Sequence, residues 1–99
     1  MKVVAVTACP TGIAHTYMAA DRLTKSAAKH NIHLKVETQG AMGIENALTS
    51  HDIAQADHVF IVSDIEIEQS ARFEGVQTHR FSIEAVLHDV DKIFRQHCL

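Results

Sequence analysis

The chain opens on a compact apolar block, Val3-Val4-Ala5-Val6, that gives way to turn-forming residues after Thr7. An apolar run with no polar alternation suits a strand buried on both faces of a parallel sheet, and it predicts a first strand over residues 2 to 8. After a loop, Ile13, Tyr17, Ala20, Thr24, Ala27 and Ala28 recur at helical spacing, with Asp21, Arg22, Lys25 and Lys29 turned away from them. A helix from about Ala14 to Lys29 is expected. Ile32, Leu34, Val36 and Thr38 then alternate with His33, Lys35, Glu37 and Gln39, the period of a strand with one more solvated face, ending at Gly40. Gly40-Ala41-Met42-Gly43 punctuates the chain. Thr49 with Asp52 three residues later forms a capping-box pattern that opens a short helix through Ala56. A buried strand over His58 to Ser63 follows. The stretch Asp64 to Gly75 shows no period, Val76 to Phe81 reads as a weak edge strand, and Ser82 is a good N-cap. From there Ile83, Val86, Leu87, Val90, Ile93 and Phe94 repeat at helical spacing almost to the end.

Strands that alternate with helices pair in parallel through crossovers. The expected fold is α/β and Rossmann-like: a small open four-stranded parallel sheet, order 2-1-3-4, with helices on both faces. Such sheets bind ligands at the carboxyl ends of their strands, beside the first strand, where connections leave in opposite directions. The loop after Thr7 falls there. With 99 residues, 46% of them hydrophobic, the chain is long enough for one core, so residues 1–99 are expected to form a single domain.

Charge narrows the partners. Nine Lys and Arg against twelve Asp and Glu give a net charge of -3, and no basic run offers a track for nucleic acid. The apolar start is far shorter than the roughly 20 residues that span a bilayer, and it lacks a signal-peptide layout. Two widely separated cysteines, Cys9 and Cys98, fit a reducing compartment, and the cytoplasm is the expected location. Cys98, next to the terminus, is expected to be frayed or exposed. Eight histidines are scattered without closely spaced ligand pairs, so neither a metal site nor a cofactor is expected.

The segment Thr7-Ala8-Cys9-Pro10-Thr11-Gly12-Ile13-Ala14-His15-Thr16 lies between a strand end and a helix start. Unpaired N–H groups at a helix N-terminus, with the aligned peptide dipoles, stabilise negative charge in front of them. The same field favours a Cys9 thiolate, a far better nucleophile toward phosphorus than a thiol. Gly12 permits close approach of the loop to a phosphate, Thr11 and Thr16 add hydroxyl donors, and Pro10 restricts the loop's shape. On pattern alone, a buried structural cysteine beside a turn glycine is the alternative.

Extended to Cys9-Pro10-Thr11-Gly12-Ile13-Ala14-His15-Thr16-Tyr17-Met18-Ala19-Ala20, the segment closely resembles the phosphorylation site of fructose-family IIB domains of the bacterial phosphoenolpyruvate-dependent sugar phosphotransferase system. The resemblance continues in Glu37-Thr38-Gln39-Gly40, Ala56-Asp57, Asp64 and Arg72-Phe73. It implies a protein-N-phosphohistidine–sugar phosphotransferase component. Its cysteine, Cys9, would take a phosphoryl group from a IIA phosphohistidine and give it to fructose or a related sugar bound by a membrane IIC component. It also carries phosphate binding to Pro10, Thr11, Gly12, Ile13, Ala14, His15 and Thr16. Because the 99 residues hold no span, IIA and IIC are expected on separate chains, with this chain associating with the membrane through IIC.

Low-molecular-weight tyrosine phosphatases use a similar strand, loop and helix but close the loop with Arg where this chain has His15. An Arg fork binds two phosphate oxygens, whereas His offers one directed donor at a time, so hydrolysis should be weak and the group carried. A cysteine-dependent phosphatase remains the main rival, with Asp64 as its general acid or merely a solvated turn residue. A redox or anion-binding module built on Cys9 is the other. His15 either orients the phosphate or packs at the helix start. Glu37 and Gln39 either touch the loop or a partner or are exposed strand-end residues, and Arg72 either steers a phosphate or a negatively charged partner surface or makes a surface ion pair. A docking surface around Cys9 should include Ile13 and Met42.

Overall fold

A computed structural model describes residues 1–9 and 14–98. Five strands form one sheet: β1 (Lys2–Ala8), β2 (His33–Gly40), β3 (Gly43–Glu45), β4 (His58–Ser63) and β5 (His79–Phe81), in the order β3-β2-β1-β4-β5. Pairings β1–β2, β1–β4 and β4–β5 are parallel, while β2–β3 is antiparallel. The four parallel strands therefore keep the expected order, but the sheet is mixed and has a fifth strand. The sequence reading took Gly40 to Gly43 as punctuation only. Gly43, at φ 85°, closes a tight hairpin and returns three residues against Thr38, Gln39 and Gly40. A three-residue strand is too short for an alternating pattern to show.

Helix α1 (Ala14–Lys29) begins and ends where its periodicity predicts. Asn31, at φ 57°, stops it: Ile32 N–H donates to Ala27 O at 2.8 Å and Asn31 N–H to Ala28 O at 3.3 Å, satisfying carbonyls of the last turn. Helix α2 (Ser50–Gln55) opens on the predicted capping box, Thr49 Oγ1 accepting from Asp52 N–H and the Asp52 carboxylate accepting from Thr49 N–H. The edge strand expected over 76–81 shortens to β5. Ser63 Oγ accepts from Ile65 N–H at 3.0 Å and donates to Ile65 O, making a turn directly after β4. A 3-10 turn, Ser70–Phe73, gives form to the stretch without period.

Helix α3 (Ile83–His97) starts at Ser82, whose Oγ accepts from Ala85 N–H, and breaks at Asp89, where φ is -157° and ψ 81°. The cause is visible at the break. Arg22 Nη1, from α1, donates to Leu87 O at 2.6 Å, and Asp89 Oδ1 accepts from Lys92 N–H to cap the continuing half. A side chain inserted into the carbonyl ladder is a recognised origin of a helix kink.

Two apolar layers sandwich the sheet. On one face Val3, Ala5, Phe60 and Val62 meet Ala19, Leu23 and Ala27 of α1 and Ile83, Val86, Ile93 and Phe94 of α3. On the other, Val4, Val6, Ala8, Val59 and Ile61 meet Leu48, Ile53, Ile67 and Phe73. Alternate residues of β1 thus feed both layers, which is why the strand reads as an unbroken apolar run. Cys98 corrects the expectation of an exposed thiol: it is 7% exposed within the first layer, because the last turn of α3 packs inward, and burial pushes its pKa up.

Candidate functional site

The carboxyl ends of β1, β2, β4 and β5 lie along one edge, and Cys9 follows β1 at the centre of it, half-buried. Thr7 Oγ1 donates to Thr16 O at 3.3 Å, holding the first turn of α1 against the end of β1. Ala14, His15 and Thr16 occupy that turn, the first two exposed and Thr16 at 0% exposure. Among the described residues the Thr16 hydroxyl has no hydrogen-bond partner. Leaving a buried hydroxyl unpaired costs about 1–3 kcal/mol. Pro10, Thr11, Gly12 and Ile13, to which phosphate binding was assigned, lie outside the described residues.

A cavity of about 340 Å³ opens on Cys9, lined among the described residues by Cys9, His15, Asp64, Ile83, Glu84 and Leu87. The Ser63–Ile65 turn brings Asp64 there from the end of β4. Asp64 and His15 are therefore gathered with Cys9, as their positions after β4 and in the loop implied. Glu84 and Leu87 were not anticipated. The signal was present: α3 follows a parallel strand, so the Ser82 cap that starts it had to fall on the same edge. A separate cavity of about 240 Å³ sits at the opposite end of β1 and β2, beside Lys2, His33, His51 and Gln55, and no predicted site residue reaches it.

Glu37, Gln39 and Arg72 are bonded to one another rather than left exposed at the strand end. The alternation in β2 suggested solvated ends, yet Glu37 is 0% and Gln39 9% exposed, because the Asp64–Phe73 stretch crosses over them. Arg72 sends Nη1 to Glu37 Oε1 at 2.7 Å and Leu48 O at 3.0 Å, and Nη2 to Glu37 Oε2 at 3.0 Å and Glu68 O at 3.4 Å. Its Nε donates to Gln69 O at 2.9 Å. A guanidinium has five N–H donors, and all five are committed. Glu37 also accepts from Leu48 N–H and Gln39 Nε2, while Gln39 exchanges hydrogen bonds with the backbone of Glu68. Burial alone pushes the Glu37 carboxyl up; the hydrogen bonds from Arg72, Gln39 and Leu48 outweigh it and hold the pKa below the usual range. This closed set ties the chain after β3 and the chain after β4 to β2. Arg72 is neither a surface ion pair nor a cation available to phosphate.

Two exposed apolar side chains lie at the same edge: Met42, 78% exposed at the tip of the β2–β3 hairpin, and Ile65, in the turn after β4. Tyr17 donates to Glu45 Oε1 at 2.7 Å, bracing that hairpin against α1. Among the described residues no helix is long and apolar enough to cross a membrane.

Comparison with known proteins converges on one family. Residues 4–96 match the family described as PTS system, Lactose/Cellobiose specific IIB subunit. The chain is 47% identical over 92 residues to "PTS system fructose-like EIIB component 2" of Escherichia coli (strain K12), covering 93% of this chain and 87% of that protein. It is 41% identical over 98 residues to "Fructose-like PTS system EIIBC component" of the same strain, covering 97% of this chain but 20% of that longer protein. The crystal structure of a predicted fructose-specific IIB from Escherichia coli superposes with a TM-score of 0.89 at 42% identity, covering 96% of this chain and 84% of that one.

Proposed function

This chain belongs to the IIB family of the sugar phosphotransferase system, of the fructose type, and on that premise we propose that it is a phosphocarrier working through Cys9. The 99 residues act as one domain. The Cys9 sulfur attacks the phosphoryl group of a phosphohistidine on a IIA protein; the P–S bond forms as the P–N bond breaks. A hydroxyl of fructose or a related sugar, presented by a membrane IIC component on the cytoplasmic side, then attacks phosphorus and the electron pair of the P–S bond returns to sulfur. The name of the longer relative, which joins B and C in one component, supports a IIC partner.

The observation that carries this reading is the setting of Cys9: the end of the central strand, the first turn of α1 beside it, and a cavity open to an incoming group. Phosphate binding by Pro10, Thr11, Gly12, Ile13, Ala14, His15 and Thr16 completes the proposal, with the unpaired Thr16 hydroxyl turned to that use. Carrying is favoured over hydrolysis because the Arg fork that steadies phosphoryl transfer to water has no counterpart: His15 stands in its place and Arg72 is fully engaged elsewhere. Asp64 adjoins the cavity as an accessory group, whereas Glu37, Gln39 and Arg72 act by holding the edge in shape.

Incubation with phosphoenolpyruvate, the general phosphotransferase proteins and a fructose-type IIA tests the proposal by intact mass at neutral pH. A IIA-dependent gain of one phosphoryl group, mapped to Cys9 and lost in Cys9→Ser, is the expected result. Its absence, with Cys9-dependent hydrolysis of a phosphotyrosine mimic, would assign a phosphatase instead.

A further inference from the structure

The cavity beside Cys9 has a composition that the carrier reading does not by itself require. Its described lining pairs one imidazole, His15, with two carboxylates, Asp64 and Glu84, and closes with the aliphatic side chains of Ile83 and Leu87. Among the described residues no Lys or Arg lines it. Such a lining does not suit a second phosphate, which two carboxylates repel. It suits a flat, cationic group with an N–H to give.

We propose that this cavity receives the imidazole ring of the phosphohistidine donor, with Glu84 accepting the N–H of the ring nitrogen that does not carry phosphorus. The inference rests on the carrier reading and names how the donor is held. Glu84 lies in the first turn of α3, fixed by the Ser82 cap; Leu87, one turn on, is fixed by Arg22 on its carbonyl. Ile83 and Leu87 thus offer a rigid apolar wall to the ring. A carboxylate beside the N–H favours the protonated ring. As sulfur bonds to phosphorus and the P–N bond breaks, the bonding pair stays on nitrogen, and the leaving group is neutral imidazole rather than an imidazolate. The step needs no proton from elsewhere.

Rapid-quench loading of Cys9 by phosphorylated IIA, followed across a pH series, distinguishes this role from a merely structural carboxylate that complements the α3 dipole. Glu84 is exposed, so Glu84→Gln retains the Ser82 cap and the fold. We expect Glu84→Gln to slow loading by about 10- to 100-fold, the worth of one hydrogen bond to a charged group. The alkaline limb of the rate profile should move to lower pH, and Glu84→Asp should restore part of the rate. Wild-type charging with an unaltered rate and pH profile in Glu84→Gln overturns the inference alone, as does slowing of loading with no movement of the profile. If the wild-type chain gains no phosphoryl group on Cys9, the carrier reading falls and this inference with it.

Discussion

Arg72 illustrates how far the meaning of a residue depends on what crosses over it. In sequence it stands as an ordinary cation beside Phe73; in the structure its guanidinium also lies 5.0 Å from the Phe73 ring centroid and its five donors all point inward. Removing it leaves Glu37 charged, buried and short of two partners. Arg72→Met should therefore cost about 3–5 kcal/mol in urea unfolding at neutral pH. Arg72→Lys should recover little, because an ammonium cannot reproduce the fork. The folded-state pKa of Glu37 is depressed, so its contribution is present above the unfolded value near 4.5 and is lost as pH falls through the lower folded value. The gap in stability between wild type and Arg72→Met should shrink correspondingly in acid. Asp52 follows the same sign: the Lys35 ammonium at 2.7 Å, then Thr49 N–H, hold it at about 2, and Asp52→Asn should flatten the acid side of the stability curve. Cys9, His15 and Thr16 were legible as neighbours because they fall within one short segment between strand and helix. Glu84 was not, since its membership depends on where a helix 70 positions later begins.

Among the elements, those with internal punctuation were readable and those defined by a neighbour were not. The capping box at Thr49 and the cap at Ser82 announce α2 and α3 from local chemistry. Thr49→Ala should cost about 1 kcal/mol in thermal unfolding through loss of the cap. The break in α3 has no local signature, because Asp89 fits a continuous helix and the agent is Arg22 on another helix. Below the break, Asp91 gathers Ser26 and Lys29 from α1 and His30 just after it, and the Ser26 hydroxyl and Lys29 ammonium hold its carboxyl at about 2. Arg22→Ala should free the Leu87 carbonyl and raise amide hydrogen exchange between residues 87 and 92, while exchange in β1 stays slow. Equal exchange in both proteins would mean that the kink is set by packing alone.

Taken whole, the molecule places the Cys9 cavity at one end of its sheet and a cluster of rings at the other. His58, His79 and His97 surround Phe60 and Phe81, with the His79 and His97 centroids 4.8 Å apart and those of His58 and His79 5.7 Å apart. Burial first, then the neighbouring His97 and His58, push the His79 pKa below 6.5. The unfolded chain therefore binds this proton more readily, and stability falls as pH drops below 6.5 through the lower folded value. Urea midpoints compared between about pH 7.5 and 5.5 should show that loss, reduced in His79→Phe. The parallel order β2-β1-β4-β5 was legible from strand–helix alternation, but the antiparallel β3 was not, and neither was the cover over Glu37 and Gln39.

The lining of the Cys9 cavity bears on energetics as well as on recognition. Between Lys2 and Arg22 the sequence has no Lys or Arg, and Asp64 and Glu84 adjoin the same space. On the proposed carrier reading, a phosphoryl group on Cys9 would thus have no cationic side chain other than His15 among the described lining, next to two carboxylates. It would keep a high group-transfer potential, so that its passage to a sugar hydroxyl runs downhill and the protein is left ready for another cycle.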